Sequence, residues 1–257
     1  MSKIKEFNAD ELLVKIYDTR NSMGENAAKD VASKITELLT EKSEINIIFA
    51  AAPSQQEFLA SLINHQEIPW NRINAFHMDE YIGLDKEAPQ GFGNFLKASI
   101  FEQVNLKSVN YLNSSTFDSH AECDRYAELL IEYPTDIVCM GIGENGHIAF
   151  NDPHVAIFDD SKLVKVVELD NACRQQQVND GCFSNIDQVP THAMTLTIPA
   201  LMSGANVFCI VPGKTKTDAV FRTLTGEISE ECPASILRKK KDAILYVDSD
   251  SASAFGR

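Results

Sequence analysis

Asp136-Ile-Val-Cys-Met140 runs directly into Gly141-Ile-Gly143-Glu-Asn145-Gly146-His147-Ile-Ala-Phe-Asn-Asp152-Pro153. A short apolar run that closes on glycines reads as a strand buried on both faces, the kind found in parallel sheets. The same pattern recurs on either side of it. Upstream, residues 22–42 place Ala27, Val31, Ile35 and Leu38 at helical spacing, Ile45–Ala50 reads as a strand and 55–63 as a helix. Ile73–Met78 is a further strand, and 91–103 and 119–132 have helical patterns. Downstream, Leu163–Leu169 and Ala193–Ile198 are strand candidates. Val207–Val211 is a strand followed by a helix over about Lys216–Leu224, and Ala243–Val247 closes the series. Buried strands separated by helices imply βαβ units, hence an α/β fold with a largely parallel sheet flanked by helices. A single domain over 1–257 is expected. Ligands in such sheets bind beyond the carboxyl ends of the strands, so the loops after Phe76, Met140 and Val211 are where chemistry is expected.

Charge narrows the function classes. Lysine and arginine total 23 against 37 acids, a formal net charge of −14. Such a chain is ill suited to nucleic acid or anionic lipid, and an anionic ligand needs a local positive site. Six cysteines at 123, 139, 173, 182, 209 and 232 form no CxxC and no zinc-ligand spacing, which suits buried free thiols in a reducing compartment. The first residues lack an apolar signal region, and no apolar stretch reaches the ~20 residues of a membrane span. A cytoplasmic protein is expected, with no membrane partner.

The glycine loop spells GxGxxG, but a dinucleotide site needs a helix to open inside it. Asn151 and Pro153 oppose a long helix there. The loop reads better as backbone, Gly143 included, that approaches a ligand closely and sets His147 at its edge. Histidine titrates near neutrality and serves as acid and base in turn, and Asp152 lies near enough in sequence to orient it. At the end of another strand stand Asp79 and Glu80. Paired carboxylates there suit a solvated turn, a metal site or a general base. No further ligands appear at metal spacing, and a desolvated carboxylate gains the proton affinity a base needs, which Asp79 fits better than Glu80. Pro212-Gly-Lys-Thr-Lys216 contains GKT, yet a P-loop needs glycine at 208, where Phe stands. A helix start bearing two lysines suits either a phosphate or plain solvation.

Taken together, Phe76-His-Met-Asp-Glu-Tyr-Ile-Gly-Leu84, the 141–153 loop, Gln188-Val-Pro190 and Pro212-Gly-Lys-Thr-Lys216 resemble, in order and spacing, the glucosamine-6-phosphate deaminase/isomerase family. The resemblance spans nearly the whole chain, and 6-phosphogluconolactonases are more distant relatives. It implies a Rossmann-like fold and aldose–ketose isomerisation of a hexosamine 6-phosphate with loss of ammonia, without metal or organic cofactor. It gives Asp79 the role of C2–C1 proton shuttle and His147 that of ring opener. Asn145 and Asp152 become the partners of that histidine, and Lys216 a phosphate ligand. Ser54, Glu80, Gly143 and Arg174 join the expected substrate and phosphate contacts. Three departures stand out. Position 145 is often aspartate in the family, and 152 is commonly glutamate. The phosphate loop, usually Thr-Gly-Gly-Thr/Ser-Pro, here reads Ala51-Ala-Pro-Ser54-Gln-Gln56. A second phosphate-binding arginine has Arg174 as its nearest counterpart. A galactosamine-type deaminase, a lactonase and a non-catalytic sugar-phosphate sensor remain alternatives, and a homo-oligomer stays open.

Overall fold

Along the strand over 137–140, Val138 and Met140 pack into one apolar cluster while Ile137 and Cys139 pack into another. The strand over 206–211 repeats this, with Val207, Cys209 and Val211 on one side and Phe208 and Ile210 on the other. Side chains of a strand alternate between faces, so apolar residues at every position call for cover on both. The computed structural model, which describes residues 3–255, supplies that cover.

In chain order the elements are β1 (Lys3–Ala9), β2 (Leu12–Tyr17), α1 (Arg20–Glu41), β3 (Ile45–Phe49), α2 (Gln56–Leu62), β4 (Ile73–His77), β5 (Asp79–Tyr81) and α3 (Phe92–Leu96). Then come β6 (Ser108–Asn110), α4 (Ser119–Glu132), β7 (Ile137–Met140), β8 (Val164–Glu168), α5 (Asn171–Asn179) and β9 (His192–Leu196). The series ends with α6 (Ile198–Met202), β10 (Asn206–Val211), α7 (Thr217–Thr225) and β11 (Ala243–Asp248). One sheet runs β1-β2-β11-β10-β7-β3-β4-β6, with every pair parallel except β1 and β2. Helices α1, α2 and α3 bury their apolar faces on one side of it, and α4, α6 and α7 on the other. A small antiparallel sheet, β5-β9-β8, stands beside it. Among the described residues no helix is long and apolar enough to cross a membrane.

The α/β architecture agrees with the expectation from sequence, and most elements fall within a residue or two of it. The β1–β2 hairpin, β6 and the second sheet were not anticipated. Nor was α5, whose buried face is Cys173, Gln176 and Gln177 rather than an aliphatic stripe. The helix expected over 91–103 is α3 continued by a wider-wound turn at Lys97–Phe101.

Strand order sets the location of the site. From β3 the chain proceeds outward to β4 and β6; from β7 it proceeds the other way, to β10 and β11. β3 and β7 are neighbours, so the loops at their carboxyl ends diverge and leave a crevice between them. Those loops begin at Ala50 and Gly141.

Candidate active site

The crevice holds a cavity lined by Ala51, Ser54 and Gln55 from one loop, and by Gly141, Gly143 and His147 from the other. Asp79, Phe92, Gln176, Gln177 and Lys216 complete its polar and aromatic wall.

Asp79 opens β5, where the chain leaves the main sheet. His77 fixes that crossing: its Nδ1 donates to the Asp79 carbonyl (2.9 Å) and its Nε2 accepts from Leu112 N–H (2.9 Å). The ring is fully buried, and burial pushes its proton affinity down to about 4, so it stays neutral at physiological pH. Asp79 then presents its carboxylate to the cavity with no hydrogen-bond donor among the described residues. Burial, followed by the charge of Glu80, raises it well above the usual carboxylate range. Alternation sends Glu80 to the other side of β5. There it accepts from the backbone N–H groups of Tyr81 (2.9 Å), Phe92 (3.1 Å) and Gly93 (2.9 Å). Glu80 was expected to touch substrate. The structure instead places it outside the cavity lining, as the anchor of the α3 N-terminus that carries Phe92 to the wall.

His147 lies flat against Gly143. A Cβ on that glycine would sit 2.1 Å from the ring Cε1 and 2.2 Å from Nε2, so no other residue leaves room for the imidazole. The expectation that Gly143 serves close approach therefore has a structural basis, although the close neighbour is the catalytic candidate itself. The residues after Gly146 form a turn and a short Ile148–Asn151 bridge rather than a helix, which removes the seat a dinucleotide requires. Nδ1 of His147 lies 2.8 Å from Asn145 Oδ1 and 2.9 Å from Asp152 Oδ1. Asn145 Nδ2 donates in turn to Asp152 Oδ1 (2.9 Å) and Asp170 Oδ2 (3.3 Å). Both acceptors fix the proton on Nδ1 and leave Nε2 for substrate. Burial alone would raise the Asp152 carboxyl. The charge and hydrogen bond of His147 and the Asn145 amide together hold it below the usual range. Asn145, neutral though it is, thus ties His147, Asp152 and the Asp170 cap of α5 into one network. Cys173 joins its edge: its Sγ, His147 and Asp152 offer atoms within 4.8 Å of one another, as do Asp152, His154 and Asp170. These are the metal-type groupings among the described residues; in the first, hydrogen bonds already engage His147 Nδ1 and Asp152 Oδ1.

Lys216 lines the same cavity. Gly213 (φ +94°) turns the chain out of β10, and Lys214 points to solvent while Lys216 is buried. Burial lowers its proton affinity, opposed by the charges of Asp180 and Glu144, and its ammonium has no hydrogen-bond partner among the described residues. Ser54 lines the same cavity, close to Gly141.

Arg174 does not reach the cavity. Its guanidinium donates to the carbonyls of Ile186 (2.7 Å) and Val189 (3.0 Å), bracing the loop before β9. The residues of α5 that do reach it are Gln176 and Gln177, whose carboxamides belong to no motif. Their only signal in the sequence is helical spacing of three and four from Cys173.

A family model described as glucosamine-6-phosphate isomerases/6-phosphogluconolactonase matches residues 18–246. A glucosamine-6-phosphate deaminase of Clostridium acetobutylicum is 31% identical over 236 residues, covering 90% of this chain and 95% of that protein. Its counterpart in Listeria monocytogenes is 30% identical over 240 residues, covering 93% and 99%. The solved structure of a monomeric glucosamine-6-phosphate deaminase superposes with a TM-score of 0.84 at 30% identity, covering 93% of this chain and 98% of that one. A 6-phosphogluconolactonase from Thermotoga maritima, at 20% identity and a TM-score of 0.76, shares the fold. With the family model covering most of the chain and these relatives matching end to end, the chain belongs to the glucosamine-6-phosphate isomerase/6-phosphogluconolactonase family.

Proposed function

We propose that the chain is a glucosamine-6-phosphate deaminase, converting that hexosamine phosphate and water into fructose 6-phosphate and ammonia. One observation carries the reading: a proton-hungry carboxylate, Asp79, and an oriented histidine, His147, open on one cavity that also holds the ammonium of Lys216, unpartnered among the described residues. His147 Nε2 takes the proton of the anomeric hydroxyl and returns it to the ring oxygen, opening the sugar, while Asp152 and Asn145 hold the imidazole in register. Asp79 removes the C2 proton to give the enolamine and delivers it to C1. The product is a C2 imine, to which water adds as ammonia leaves. The substrate's own amino group supplies the imine, so the route calls on no cofactor. Every group it uses lies on one chain. Lys216 and Ser54 hold the phosphate.

The test is release of ammonia and fructose 6-phosphate over a panel of 2-amino-2-deoxyhexose phosphates. Turnover of glucosamine 6-phosphate supports the reading; binding without turnover points to a sensor, and preference for the galactosamine ester to the sister activity.

A further inference from the structure

Helix α5 borders the cavity through its buried face. Residues 173, 176 and 177 share its buried face, one turn apart. Cys173 abuts the His147–Asp152 pair. Gln176, one turn on, is held by Glu144 N–H (2.8 Å) and has little freedom left for a ligand. Gln177 is different: it is 7% exposed, lines the cavity together with Lys216, and its side-chain amide has no hydrogen-bond partner among the described residues. Its backbone is fixed. Cys182 N–H donates to the Gln177 carbonyl (3.0 Å) and Gly181 N–H to that of Val178 (3.0 Å), with Gly181 at φ +76°. That is the Schellman ending, and it stops the helix one turn past Gln177. The Gln177 amide opens into the cavity rather than into packed protein, so its donors and acceptor are free to meet a ligand there.

Resting on the hexosamine-phosphate reading, we propose that Gln177 is a specificity-determining residue: its carboxamide makes a further side-chain contact, with Lys216 and Ser54, to the anionic group of the substrate. The consequence is a subsite with a single cation among the described residues, whose field Glu144 and Asp180 oppose. Its preference for a phosphate ester over the free sugar therefore responds to the charge placed at position 177.

Three variants, Gln177→Glu, Gln177→Arg and the exposed control Gln175→Ala, are compared in two measurements. The first is the ratio of kcat/KM for glucosamine 6-phosphate to that for glucosamine. The second is the binding of inorganic phosphate followed by thermal shift, which needs no turnover. Gln177→Glu should lower the ratio and weaken phosphate binding about tenfold or more, Gln177→Arg should tighten phosphate about tenfold, and Gln175→Ala should match wild type. Equal phosphate affinity, within twofold, in both Gln177 variants and wild type overturns the proposal, as does a Gln175→Ala effect of the same size. If wild type deaminates no hexosamine phosphate but phosphate binding follows the charge at 177, the activity reading falls and the assignment of Gln177 stands. A melting curve for each variant separates loss of binding from loss of fold.

Discussion

Asp79 carries opposite demands. Its raised proton affinity suits a base, but a carboxylate that prefers its proton in the folded state weakens the fold once it ionises. The folded pKa lies above the unfolded one, so stability is lost as pH rises from the ordinary carboxylate value through the raised one. Asp79→Asn should therefore lower deamination on the order of 10²–10⁴-fold and, at neutral pH, raise the melting temperature, by about 2–4 °C for each kcal/mol relieved. Deuterium exchange into product and paired melts at pH 4 and pH 7 check both halves; unchanged exchange removes Asp79 from the base role. Gly143→Ala tests a different kind of dependence. With a Cβ 2.1 Å from the imidazole, His147 has to swing away. A displacement of about 1 Å at a reacting group costs roughly 10² in rate, so kcat should drop by that order while phosphate binding persists. These two residues, with His147, Asp152 and Lys216, stand out as candidates in the sequence because each sits in a contiguous string at a strand end. Glu80 and Arg174 fall outside the cavity lining through one-residue geometry. A strand sends neighbours to opposite faces, and a helix turns 100° between Cys173, which meets the His147–Asp152 pair, and Arg174, which does not.

Elements differ in how much of themselves they write into the sequence. β3, β7 and β10 are apolar at nearly every position and α1 has a regular apolar stripe, so all four were legible. Strand β5 is three residues of mixed polarity and exists through its pairing with β9, a partner more than 100 positions away in the chain. Helix α5 buries glutamines, which carry no apolar period. The β4–β5 crossing likewise depends on one side chain. His77→Gln should destabilise the protein, because the Asp79 carbonyl and Leu112 N–H lose a partner that spans both, at about 1–3 kcal/mol for each buried group left unpaired. The histidine also leaves a pH signature. Its folded pKa of about 4 lies below the ordinary value of 6.5, so its contribution is intact above pH 6.5 and is lost as pH falls toward 4. The wild-type stability advantage over His77→Gln should shrink by up to about 3 kcal/mol across that window, as urea melts at successive pH values would show. A constant difference means that His77 is not titrating as a buried neutral group.

At the scale of the molecule, the cavity sits where two oppositely wound halves of the sheet meet, with the Ala50 loop from one and the Gly141 loop from the other. A ligand there ties both halves together and should raise a single melting transition rather than one of two. In the Asp79→Asn background, glucosamine 6-phosphate at a hundred times its Kd should add about 2.7 kcal/mol of stability. Adding Lys216→Ala should remove about half of that shift or more, since a charge-assisted contact accounts for roughly 10- to 100-fold in affinity. A full shift without Lys216 places the phosphate elsewhere. The same lysine has a chemical consequence. Most amines of this chain sit in water, protonated and inert toward electrophiles at neutral pH. Lys216, with burial easing its proton away, has a larger share of free lone pair. An aldehyde that enters the cavity, pyridoxal phosphate for instance, should condense with that nitrogen first, expelling water to leave an imine that borohydride traps. Inorganic phosphate should shield it. One lysine marked ahead of all the others, on a protein otherwise slow to react, would be the footprint of an unpaired ammonium kept out of water.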